Sequence, residues 1–171
     1  MVRAKTYELL KLVEMFRLAA ALRAQMLAGG FTDNGGAIHS AERILNIRGL
    51  RFGYPELSRI NSVRLLPNAP FSEAALVAHQ SDQRVMIEHV NPHRALTRLA
   101  IERIGELSDE EFLNFVRVHF QLALLTEAET LQLNKLNRSK IAADRLANAG
   151  IRLVGTRRHS AGRADEPSGP S

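Results

Sequence analysis

A chain of 171 residues, 45 % of them apolar, has the material for one domain with a substantial core and is too apolar to be wholly disordered. It has no cysteine, which excludes disulfides, thiolate metal sites, iron–sulfur ligation and cysteine nucleophiles and fits a reducing cytoplasm. The net charge of +5, a pI near 10.2 and the preponderance of arginine favour a polyanionic partner such as nucleic acid.

Glu8, Lys11, Glu14 and Arg17 interrupt the first apolar stretch, so it does not read as a secretory signal. The apolar runs fall short of a membrane span. A soluble cytoplasmic protein with no membrane partner is the expectation. Leu9, Val13, Phe16, Ala20 and Leu27 recur at helical spacing and predict a long helix over 4–27, stopped by Gly29 and Gly30. Its wide apolar face suits a core, or a protein partner or second copy of the chain. Asp33-Asn34-Gly35-Gly36 reads as a turn and lacks the spacing and lysine of a phosphate-binding loop.

Ser40 is placed to cap a short helix over 40–47. Arg48 and Arg51 then interleave with Phe52 and Tyr54, a pattern able to grip a nucleic-acid backbone and stack on bases. Gly53 and Pro55 predict a turn there, beneath which the same aromatics can seal a core. Alternation predicts a strand over 62–66, broken by Pro67 and Pro70, and a short helix follows over 71–79.

Residues 83–90 predict a strand, with Ile87 and His89 on one face and Met86 and Glu88 on the other. Asn91 as cap and Pro92 at the first position predict a helix to 104, with Gly105 as its exit. Because Pro92 separates them, His89 and His93 are not expected to stack as ligands on one helix. Ser108 and Glu111 form a capping-box pattern for the next helix, which carries Phe112, Phe115, Val116 and His119 on one stripe. A buried strand is predicted over 120–125. Thr126 and Glu129 repeat the box and open a helix to about 149, made basic by Lys135, Arg138, Lys140 and Arg145 and ended by Gly150. Residues 156–171, rich in Arg, Gly, Ser and Pro, are expected to be a disordered tail on a single domain over 1–155. The fold class is α+β and predominantly helical, with about five or six helices around short strands near 84–90 and 120–125.

Glu88 and His89 at the end of one strand, a second strand ending at Thr126 and the helix behind it resemble the HNH, or ββα-metal, nuclease motif over residues 86–138. The resemblance implies a metal-dependent endonuclease, a hydrolase using Mg²⁺ or Mn²⁺, with His89 as general base and Glu88 as a metal ligand. A second ligand comes from the last helix, and Glu129 and Asn134 are the available choices. Glu129 also suits a purely structural role as the capping residue. Thr130 stands where the family usually carries a histidine, and the insert between the strands is longer than usual. The alternative is a non-catalytic protein. It would bind DNA or RNA through Arg48, Arg51, Lys135, Arg138 and Lys140, or a protein through the N-terminal helix.

Overall fold

The computed structural model describes residues 7–155. The predicted start of the first helix and the tail over 156–171 lie outside the described residues. The architecture is α+β and mostly helical, as expected. At its centre is β3 (Leu122–Leu125), all four residues of which are buried. The strand order is β2-β3-β1-β4. β2 (Met86–His89) runs antiparallel to β3, with Glu88 opposite Ala123 and His89 opposite Leu122. β1 (Phe71–Ser72) is parallel to β3, and β4 (Leu153–Val154) is antiparallel to β1. An unbroken apolar run suits a strand covered on both faces.

The period of two divides the core. Leu122 and Leu124, with Ile87 and Phe71, pack into the main cluster. They meet Val13 and Phe16 of α1 (Leu9–Ala28), Leu45 and Leu50 of α2 (His39–Gly53), Leu96 and Ala100 of α4 (His93–Ile104), and Phe112 and Val116 of α5 (Asp109–His119). Ala123 and Leu125 face the other way, onto Leu133 of α6 (Glu127–Leu136) and Ile151. Each buried leucine or phenylalanine contributes about 1.5–3 kcal/mol, so a one-residue slip of β3 would exchange the two clusters and is strongly disfavoured.

Side-chain caps set the helix starts. Ser108 and Thr126 each form the complete capping box with Glu111 and Glu129. Ser72, fully buried, caps α3 (Glu73–Gln80) through Ala75 N at 3.0 Å and donates its hydroxyl to Glu129 Oε2 at 2.6 Å. The starts of α3 and α6 are thereby tied together across the parallel pair β1 and β3.

Several local expectations are corrected. The segment predicted as a strand over 62–66 forms a 3₁₀ turn, Ile60–Leu65, because only Val63 in it is buried and Leu65 is 77 % exposed. The predicted helix over 71–79 gives its first two residues to the sheet. Asn91 does not cap α4; its Nδ2 donates to the His119 carbonyl at 2.8 Å and pins the loop after β2 to the end of α5. α2 continues to Gly53, so Arg48 and Arg51 are helical rather than part of a turn. The last predicted helix breaks at Leu136, and a separate short helix, α7 (Arg145–Asn148), follows. Arg145 is bonded across that break: its Nε donates to the Asn137 carbonyl at 2.8 Å, and its Nη1 donates to the carbonyls of His89 and Val90 at 2.9 and 3.1 Å.

On α1, Leu10, Leu18 and Leu22 remain about half exposed on the side away from Leu12, Val13 and Phe16. No helix among the described residues is long and apolar enough to cross a membrane.

α2 lies close against Phe120, in the link between α5 and β3. A Cβ at Gly49 would lie 2.1 Å from Phe120 Cγ, well inside van der Waals distance, and the ring is itself enclosed with 1 % exposure. Gly49→Ala is therefore expected to destabilise the protein by about 1–3 kcal/mol or more, since a packed aromatic ring has nowhere to yield. Urea unfolding of the two proteins measures this; an unchanged midpoint would show that the packing of α2 on Phe120 opens freely.

Candidate functional site

β2 is an edge strand, and a cavity of about 540 Å³ lies beside it. Glu88 and His89 line it from β2, His93, Arg94 and Arg98 from α4, and Asn134, Arg138 and Arg145 from α6 and the chain that follows it. Successive residues on a strand face opposite ways. At a sheet edge the two faces meet, which lets neighbours such as Glu88 and His89 border one cavity.

His89 sits on the side of the main core. Its Nε2 is 3.2 Å from Asn46 Oδ1, and its ring meets Phe120 edge-on at 5.3 Å. His93, the first residue of α4, lies against it with the ring centroids 4.7 Å apart. As expected, these two histidines do not share a helix, although the turn through Pro92 brings one ring against the other. His93 Nε2 donates to the Glu42 carbonyl at 3.0 Å, and its Nδ1 is buried without a hydrogen-bond partner. Burial, reinforced by His93 and by the Arg145 charge, holds the His89 pKa down to about 3. Burial also lowers that of His93, against the opposing pull of the Glu42 carbonyl.

Glu88 is on the other face. Burial raises its carboxyl pKa, and the Arg145 charge only partly offsets this. Among the described residues it makes no hydrogen bond or ion pair, and neither does the Asn134 side chain. The arginines of the rim differ in freedom. Arg94 is held by Glu42 at 2.9 Å and Arg98 by Asp33 at 3.0 Å. Asp33 also accepts from Arg23 at 2.7 Å, and the two guanidinium groups, Arg23 foremost, bring its pKa to about 2. Arg138 is exposed and has no ion-pair partner among the described residues.

The other sequence-predicted residues fall outside this cavity. Glu129 spends one carboxylate oxygen on Thr126 N at 2.8 Å, Thr126 Oγ1 at 3.2 Å and Ser72 Oγ at 2.6 Å, which is the capping role. Arg48 is corrected: it is 0 % exposed between the rings of Phe112 and Phe52, 5.0 and 5.6 Å from its Cζ, and cannot touch a nucleic acid. Arg51 is half-buried on the same helix, with Nη1 enclosed. Lys135 is exposed on α6, and Lys140 is exposed in the loop beyond it rather than on a continuous helix. Sequence reasoning missed Asn46 and passed over His93 and Arg145 as site residues. Among the described residues no group of three or more His, Asp or Glu is placed to hold a metal ion. The chain matches no family model, no curated protein and no solved structure.

The depressed histidine makes stability depend on pH with a definite sign. In the unfolded chain His89 titrates near its ordinary 6.5 and in the folded chain near 3, so between those values the unfolded state binds the extra proton. Stability should therefore fall as the pH is lowered from about 6.5 towards 3. His93 and His119, also held down by burial, act in the same direction. Denaturation curves collected across this range should show a shallower acid slope for His89→Phe; an identical slope would mean that His89 is hydrated and titrates normally.

Proposed function

We propose that the protein is a divalent-metal-dependent phosphodiesterase acting on nucleic acid, built on the ββα-metal plan, with its centre in the cavity beside β2. The observation that carries this reading is an antiparallel strand pair running directly into a helix. Through it Glu88, His89 and Asn134 border one cavity together with Arg138 and Arg145.

The donors present fit a hard cation. Glu88 offers a carboxylate and Asn134 an amide oxygen, both without hydrogen-bond partners among the described residues. Mg²⁺ is content with one or two such oxygens and keeps several waters, so it does not require the larger acidic cluster that is absent among the described residues. The burial that raises the Glu88 pKa is the condition a cation would reverse. When bound, the metal supplies neutralisation of charge on the phosphate and stabilises the departing oxygen.

The chain's own groups do the rest. His89 is the proton acceptor for the attacking water, a role that requires its pKa of about 3 to be raised towards neutral when substrate binds. An imidazolium is costly in so buried a place, and the adjacent phosphate charge offsets that cost. Arg138 is free to pair with a phosphate oxygen, and its planar fork suits that geometry. Arg145 holds the carbonyls of His89 and Val90 and so fixes the end of β2 against the exit of α6. Cleavage of plasmid DNA and of structured RNA with Mg²⁺ or Mn²⁺ tests this. His89→Ala and Glu88→Gln should each lower the rate by two orders of magnitude or more, roughly, while binding persists. Wild-type protein inert with either metal would end the nuclease reading.

A second reading, binding without cleavage, is favoured by Lys135, Arg138 and Lys140, which are exposed and free of ion pairs among the described residues. Neutralising all three should weaken binding and flatten its salt dependence, the slope falling by about one unit for each phosphate no longer engaged. An unchanged slope would show that nucleic acid does not bind on this surface.

A further inference from the structure

We propose that Asn46 is the positioning residue of the site: its side-chain oxygen fixes His89 as the Nε2–H tautomer and leaves Nδ1 as the nitrogen that serves the cavity. This deepens the phosphodiesterase reading and rests on it for the catalytic role, though not for the tautomer.

The argument begins with α2. Glu42 and Asn46 are one helical turn apart and so lie on one face. Both receive an imidazole: His93 Nε2 approaches the Glu42 carbonyl oxygen at 3.0 Å, and His89 Nε2 approaches Asn46 Oδ1 at 3.2 Å. A carbonyl oxygen can only accept, so the nitrogen facing it must carry the proton. In a neutral imidazole the lone pair then falls to the other nitrogen. For His93 that nitrogen is enclosed and reaches nothing. For His89, Nδ1 is not among the enclosed, unpartnered nitrogens, and the residue borders the cavity. Of the two rings, tilted at 31° to each other, His89 is the one whose basic nitrogen is left to the cavity, while His93 packs against it at 4.7 Å and limits its rotation.

The edge of Phe120, at 5.3 Å, closes another side of the ring. Packing alone would hold the plane of His89 in either tautomer, because the two differ only in where one hydrogen sits. The Asn46 oxygen is what distinguishes them. Without it, the proton is free to move to Nδ1, and the nitrogen that should accept a proton becomes a donor. Asn46 lies on α2, outside the strand–strand–helix unit, so the unit's proton acceptor is set by a residue far away in the chain.

The test uses the full-length protein labelled with ¹⁵N in histidine, with Asn46→Leu and Asn46→Asp beside it. Imidazole ¹⁵N shifts and their couplings to ring protons distinguish the tautomers at pH 7. Wild-type His89 should show protonated Nε2 and bare Nδ1. Asn46→Asp retains an acceptor oxygen and should keep that pattern. Asn46→Leu should populate the Nδ1–H form and lower kcat for metal-dependent cleavage by tenfold or more with KM little changed, and its histidine spectrum should otherwise show a folded protein. Nδ1–H in the wild type, or an unaltered tautomer in Asn46→Leu, would overturn the assignment of Asn46. Should Asn46→Leu fail to fold, a neutral His89 with Nδ1–H and bare Nε2 in Asn46→Asp overturns it equally. Correct tautomers with an inert wild-type enzyme would instead overturn the phosphodiesterase reading and, with it, only the catalytic part of this role.

Discussion

The seat of Phe120 on Gly49 sets how closely α2 lies against the link between α5 and β3, and both the core and the site depend on it. With hydrogen as its side chain, Gly49 admits a ring whose Cγ would otherwise be 2.1 Å from a Cβ. That approach brings Glu42 and Asn46 within reach of the two histidines at the β2–α4 turn. It also rotates one whole face of the helix inward. Leu45, Arg48, Gly49 and Phe52 share that face by helical spacing, so Arg48 is carried into the core between Phe52 and Phe112. Burial lowers its pKa only to about 10, leaving it charged at neutral pH, and the flanking ring faces supply part of the compensation.

The elements read correctly from sequence are those set by adjacent residues. Ser108 with Glu111 and Thr126 with Glu129 are complete local devices, and both boxes form. The apolar run through Leu122–Leu125 becomes the central strand because nothing polar in it could face water. The end of α6 was illegible for the opposite reason. Residues beyond Leu136 have helical composition, but Arg145 finds its partners in the carbonyls of Asn137, His89 and Val90, a tertiary arrangement that no local pattern announces. β1 and β4 were invisible because two residues are too few for any period to show.

The site divides along the same line. Glu88 and His89 are neighbours in sequence, so that both border one cavity could be suspected from the chain alone, and Asn134, which borders it too, was one of two choices on the next helix. Arg48 misled because composition reports that a residue is basic, not which way its helix face turns. Asn46 carries no mark in an ordinary helical stretch; only the folded geometry puts its oxygen 3.2 Å from His89. Glu129 had two readings, and its three hydrogen bonds from Thr126 and Ser72 leave that carboxylate oxygen to the cap.

The edge position of β2 has a chemical consequence. Had Glu88 and His89 stood on a central strand, the sheet would separate them into different layers. At the edge they border one space yet keep different surroundings. His89 leans on Phe120, His93 and α2, where burial keeps it uncharged. Glu88 looks towards α6, where burial raises its carboxyl pKa and the Arg145 charge offsets part of that. A phosphodiesterase needs that asymmetry: a neutral proton acceptor on one side of the reacting phosphate and an anionic oxygen for a cation on the other. On the proposed reading, the edge strand is therefore part of the chemistry, because it lets two consecutive residues work in two electrostatic environments.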